Sequence, residues 1–126
     1  MRILIDTHIL IWHLEDDERL SSFHGQVIED PANRVLISIA SFWEIAIKSS
    51  RGKLSLAKSI EDIFSEIARS SSTILPIESE HTVLVSRLPF HHKDPFDRMI
   101  IAQAMVEGVP IMSTDRDFAD YGVDLL

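Results

Sequence analysis

Apolar and polar positions alternate along this chain in a way that sorts it into short strands and helices. "RILID" (2–6) is a brief apolar run closed by a carboxylate, the pattern of a buried strand, and "THILIWHL" (7–14) turns into a short helix. "EDDER" (15–19) is a solvated acidic stretch, 21–30 a helix, and "PAN" (31–33) a turn. "RVLIS" (34–38) predicts a second buried strand. "SFWEIAIKSSRGKL" (41–54) opens with a Ser-x-x-Glu capping box and ends near Gly52, which predicts a helix. Apolar positions 60, 63, 64, 67 and 68 make 59–70 an amphipathic helix. Then follow a strand at 72–77, a helix at 78–88, and a helix from Pro95 to Glu107 that stops at Gly108. A fourth strand (109–114), a short helix or loop (115–122) and an optional terminal strand (123–126) complete the chain. Alternating strands and helices imply an α/β domain in which a parallel sheet of four or five strands is covered on both faces, giving three layers. No linker or repeat interrupts residues 1–126, so one domain is expected.

Composition narrows the picture. The chain is 45% hydrophobic and 25% charged, as a protein with a substantial core should be. It has no cysteine, which excludes disulfides and cysteine-held zinc or iron–sulfur centres. Asp6 and His8 break the apolar N-terminus, so neither a signal peptide nor a membrane span is expected, and cytoplasmic location is the default.

In open α/β sheets, sites form beyond the C-terminal ends of the strands. The polar groups predicted there are nearly all carboxylates: Asp6 after the first strand, Glu44 early in the helix after the second, Asp94 and Asp97 at the start of the long helix, and Asp115 and Asp117 after Thr114. Each has a plainer explanation. Asp94 is a good N-cap ahead of Pro95, Asp97 suits the helix dipole, and Glu44 could close a capping box with Ser41. Together they repel one another, and such a cluster is kept most readily when a divalent cation neutralises it. Hard oxygen ligands without cysteine or a clear histidine set suit Mg2+ or Mn2+. Such a site points to phosphodiester or phosphate-ester hydrolysis. No glycine-rich phosphate loop is present, which argues against a nucleoside-triphosphate enzyme.

In this order and at these intervals, "LIDTHILIW", "SFWEIAIKSSRGKL", "HHKDPFDRMIIAQA" and "STDRDF" resemble the PIN-domain ribonucleases, and more narrowly the VapC-type toxins of toxin–antitoxin pairs. The resemblance implies a Mg2+- or Mn2+-dependent endoribonuclease with a PIN-like fold. It also implies a homodimer, a cognate antitoxin whose C-terminal segment crosses the active-site groove, and DNA contact only through that antitoxin. Carried over residue by residue, it makes Asp6, Glu44 and Asp97 the catalytic and metal-ligating acids, with Asp115 or Asp117 as the fourth. Thr114 could orient the attacking water, and Asp94 is N-cap and outer support.

The net charge of −8 opposes nucleic-acid binding at first sight. Six of the 20 acids belong to this proposed site, however, and the remaining 14 nearly balance the 12 bases. Lys48 and Arg51 follow Glu44 on one helical face, and Lys93 and Arg98 flank Asp97, so all four are candidates to grip phosphates; Lys48 could equally be an i,i+4 partner of Glu44. His91 and His92 read as loop residues and His8 as packing. Trp12, Trp43, Phe42 and Phe96 read as core. Two other classes fit less well. A receiver-type signalling domain would need an acid pair after the first strand and a late lysine, both missing. A metal-dependent phosphatase is separated by comparing RNA with a small phosphate ester.

Overall fold

The structure, a computed structural model, describes residues 1–126. Strands β1 (Arg2–Ile5), β2 (Arg34–Ser38), β3 (Thr73–Leu75) and β4 (Ile111–Met112) form one parallel sheet in the order β3-β2-β1-β4. Helices α1 (Thr7–Leu14), α2 (Ser22–Glu29), α3 (Ile39–Ser50), α4 (Ile60–Arg69), α5 (Ser79–Val85) and α6 (Pro95–Glu107) connect and cover it, and a 3-10 helix (Arg116–Tyr121) follows β4. No helix is long and apolar enough to cross a membrane.

Period-two alternation splits the strand residues between two cores. Leu4, Leu36, Leu75 and Ile111 join Ile100, Ile101 and Ala104 of α6 and Phe118 on one face. Ile3, Ile5, Val35, Ile37 and Met112 pack with Ile9, Ile45, Ile63 and Ile67 of α1, α3 and α4 on the other. Both faces are buried, so the strands read as continuous apolar runs, as expected for a sheet covered on both sides.

The sheet order places the site. After β1 the chain builds outward through β2 and β3, then returns to lay β4 on the other side of β1. The C-terminal ends of β1 and β4 therefore flank the switch point, where open α/β sheets form their crevice. Their register pairs Leu4 with Ile111 and Ile5 with Met112, so the next positions, Asp6 and Ser113, leave the sheet side by side.

Several sequence expectations need correction. Helix α3 starts at Ile39 with Ser38 as its N-cap, the Ser38 hydroxyl accepting from the Ala40 N–H. The Ser41–Glu44 capping box does not form; Ser41 is buried and its hydroxyl bonds that of Thr7 at 2.9 Å. The sheet has four strands, within the four or five expected; the C-terminal segment contributes only an isolated bridge, Leu125 beside Ile111. Trp43 is 58% exposed rather than core, whereas Trp12 and Phe42 are half-buried and pack against the core as expected, and Phe96 is half-buried.

Candidate active site

Asp6 ends β1 and caps α1. Its Oδ1 accepts from the Ile9 N–H at 2.8 Å, and its Oδ2 accepts from the Ser113 hydroxyl. Burial raises its pKa, the bonds from Ser113 and Ile9 oppose that rise, and Glu44 adds to it. Glu44, in the second turn of α3, is 2% exposed. Lys48 Nζ donates to its Oε2 at 2.5 Å, while its Oε1 is buried with no hydrogen-bond partner. Burial works against the Lys48 ammonium, but Glu44, with Asp94 and Asp97 beyond it, outweighs that and raises Lys48 above its ordinary value.

Asp94 and Asp97 divide their work. Asp94 Oδ1 accepts from the N–H groups of Phe96 and Asp97 at 2.9 and 3.0 Å, a full N-cap ahead of Pro95. Asp97, one turn in, has its side chain only 13% exposed. Its pKa is pushed up to about 7, first by burial and then by Asp94 and Glu44, with Asp6 adding a smaller push. Asp6, Glu44 and Asp97 come from three remote segments, and Glu44 lies close enough to raise both aspartates.

Asp115 completes the group. Its Oδ2 lies 2.8 Å from His92 Nε2, which also stands 3.2 Å from Asp97 Oδ2. The Asp94 N–H donates to His92 Nδ1 at 3.1 Å, so in neutral His92 the hydrogen sits on Nε2 and is donated to Asp115, with Asp97 beside it. His92 is therefore a donor between two acids rather than a ring with a lone pair turned to a cation. The same reasoning applies to Glu80, His81 and Glu107 at the other end of α6: the Glu78 N–H occupies His81 Nδ1, leaving Nε2 as a donor facing Glu107 at 3.6 Å.

Other candidates fall elsewhere. Asp117 is exposed on the 3-10 helix, where only its backbone N–H, bonded to Asp115 Oδ1, takes part. Thr114 is exposed; the hydroxyl that faces inward is that of Ser113, buried, bonded to Asp6 and accepting from the Asp115 N–H. Sequence reading missed Ser113, although the alternation of β4 signals it. Arg98 is 5% exposed, and its guanidinium donates to the carbonyls of Val85, Leu88, Pro89 and His92 and to the Tyr121 hydroxyl. It ties the segment before α6 to the helix and is not available to a phosphate. Lys93 is exposed beside the cluster, and Arg51 is exposed at the C-terminal cap of α3. His92 sits inside the cluster rather than in a free loop. His8 is exposed rather than packed.

The donor set fits a divalent cation. Glu44 Oε1 is an orphaned buried carboxylate oxygen, Asp6 and Asp97 are both held above their ordinary pKa, and all the available donors are hard oxygens.

The PIN domain family model matches residues 3–124. The chain belongs to the PIN-domain family. Over 114 residues this PIN domain is 26% identical to Ribonuclease VapC22 of Mycobacterium tuberculosis, covering 90% of this chain and 87% of that one. Its fold is similar to that of VapBC2 from Rickettsia felis, solved bound to a DNA fragment from its promoter, with a TM-score of 0.74 at 17% identity over 100% of this chain and 98% of that one. It is similar also to FitAcB from Neisseria gonorrhoeae, with a TM-score of 0.68 at 18% identity over 98% and 96%. A toxin–antitoxin complex from Klebsiella pneumoniae has a TM-score of 0.61 at 23% identity over 93% and 90%.

Proposed function

We propose that residues 1–126 act as one catalytic unit, a divalent-metal-dependent endoribonuclease that is the toxin of a toxin–antitoxin pair. The observation that carries this reading is the convergence of Asp6, Glu44, Asp97 and Asp115 at the β1–β4 switch point, with one buried carboxylate oxygen left unpartnered. Likeness to a ribonuclease, and to proteins solved as toxin–antitoxin complexes, supports the choice of RNA and of a protein inhibitor.

Asp6, Glu44, Asp97 and Asp115 would hold Mg2+ or Mn2+. When bound, such an ion lowers the pKa of water and stabilises negative charge on a phosphodiester. The chain supplies the rest. The Ser113 hydroxyl and the Ile9 N–H fix both oxygens of Asp6, so its orientation is set before anything binds. His92 Nε2–H holds Asp115 against Asp97. Lys48 steadies Glu44 and, with the exposed Lys93, would grip a substrate phosphate. A cognate antitoxin would silence the site by placing a cationic side chain among the carboxylates, and operator DNA would be contacted through it. A homodimer in the cytoplasm is the expected working form.

The test is cleavage of a labelled single-stranded RNA in Mg2+ by wild type, Asp6→Asn and Asp97→Asn, beside a small phosphate ester. Loss of an outer partner of a metal site costs about 10–100-fold, so loss of a ligand should cost at least about a hundredfold. Equal activity in all three proteins, or turnover of the ester alone, ends the reading.

A further inference from the structure

Next to the carboxylates lies a separate recess of about 230 Å3. Thr7 and Glu44 belong to its wall, so it borders the site just described, and His8, Trp12, Arg19, Lys48 and Lys53 line it as well. Three of the chain's 12 bases line this one hollow in a protein of net charge −8. Lys48 is bonded to Glu44 and Arg19 to Asp17, whereas Lys53 is exposed and has no carboxylate partner. The Trp12 and His8 rings stand 6.1 Å apart at 50°, and the Arg19 guanidinium lies 5.3 Å from the centre of the Trp12 ring. The recess is smaller than the roughly 300–1,000 Å3 typical of pockets that enclose a whole small molecule. It suits one planar group on a longer chain that continues outside.

Aromatic and guanidinium surfaces beside flexible cations are the means by which proteins hold unpaired bases and their phosphates. Lys53, the cation here without a carboxylate partner, favours a phosphate over a cationic protein segment. We propose that this recess is a nucleotide subsite for single-stranded RNA. One unpaired base lies against the Trp12–His8–Arg19 wall, and its phosphate lies between Lys53 and Lys48 at the border with the carboxylates. The inference rests on the ribonuclease reading and adds where, relative to the cut, the strand is gripped.

The chain has two tryptophans, so Trp43→Phe leaves Trp12 as the sole reporter. In a Trp43→Phe, Asp97→Asn protein, Trp12 fluorescence is followed as a short unstructured RNA is added, and again with an abasic ribose-phosphate chain of equal length. The expected result is saturable quenching by the RNA and none by the abasic chain. His8→Ala and Lys53→Ala, both at exposed positions, should each weaken binding by about tenfold. Lys53→Ala should also reduce the slope of log affinity against log salt by about 0.7. No RNA binding, binding without quenching, or indifference to both substitutions overturns the proposal, and the last two leave the recess to a protein partner. Cleavage by the Trp43→Phe protein in Mg2+ is scored separately: its absence removes the ribonuclease reading while a quenching result stands by itself.

Discussion

Replacing Asp97 by Asn should make the ion-free protein more stable, although it removes a residue of the proposed site. The structure holds this carboxyl at a pKa of about 7 against an ordinary 3.8, through burial first and then through Asp94 and Glu44. Every tenfold change in proton affinity corresponds to about 1.36 kcal/mol, so ionising Asp97 in the folded state costs at most about 4 kcal/mol. The sign follows from where the proton sits. Between about pH 4 and pH 7 the folded protein binds a proton that the unfolded chain releases. The wild type therefore loses stability as pH rises through that window and stays low above it. Asn has the same shape, keeps its place 3.2 Å from His92 Nε2, and carries no charge. In EDTA the variant should match wild type near pH 4 and exceed it at pH 8 by about 2–4 kcal/mol. For a chain of this size that is on the order of 10 °C in melting temperature. With Mg2+ at about a hundred times its dissociation constant, wild type should recover about 2.7 kcal/mol and the variant little. Thermal unfolding followed by circular dichroism at several pH values, with and without Mg2+, reads all of this. A variant no more stable than wild type at pH 8 in EDTA would refute the reasoning.

Arg98→Lys should cost about 2–4 kcal/mol in urea unfolding, because one ammonium cannot reach the four carbonyls and the Tyr121 hydroxyl that the guanidinium fork serves. Unchanged stability with weakened RNA binding would return Arg98 to the phosphate-gripping role. Ser113→Ala, measured by calorimetric titration with Mn2+, should bind the ion about 10–100-fold more weakly while keeping the fold. Gly108→Ala should cost about 1 kcal/mol in the same urea experiment, since φ is +65° and a new Cβ there meets nothing within 4 Å, leaving only the conformational penalty.

Sequence alone ordered the elements well because the apolar runs are long and their ends are marked. Asp94-Pro95 and Gly108 bound α6 at the residues expected. What failed was the choice between neighbours. Ser38 and Ser41 can both cap α3, and only the hydroxyl of Thr7, 34 residues earlier, draws Ser41 into the interior. Arg98 follows Asp97 in sequence, but one residue along a helix turns the side chain by about 100°, which takes it from the site into the wall. Ser113 and Thr114 are separated by strand parity, and the β1–β4 register decides in favour of Ser113 because it sets that residue beside Asp6. Asp115 and Asp117 could not be told apart from sequence; the contact with His92 singles out Asp115 as the acid facing the cluster. His92 itself was hidden because its tautomer depends on a backbone N–H two residues away. Trp12 and His8 looked like packing because helical spacing cannot report that their face of α1 borders an open recess.

Four carboxylates from remote segments gathering one divalent-ion site at the β1–β4 switch point is the claim on which the function rests. Anomalous diffraction from crystals soaked in Mn2+ tests it directly. The predicted result is a peak within bonding distance of oxygens from Asp6, Asp97 and at least one of Glu44 and Asp115, lost in Asp6→Asn crystals. A peak held by other residues, or no peak at saturating Mn2+, would contradict it.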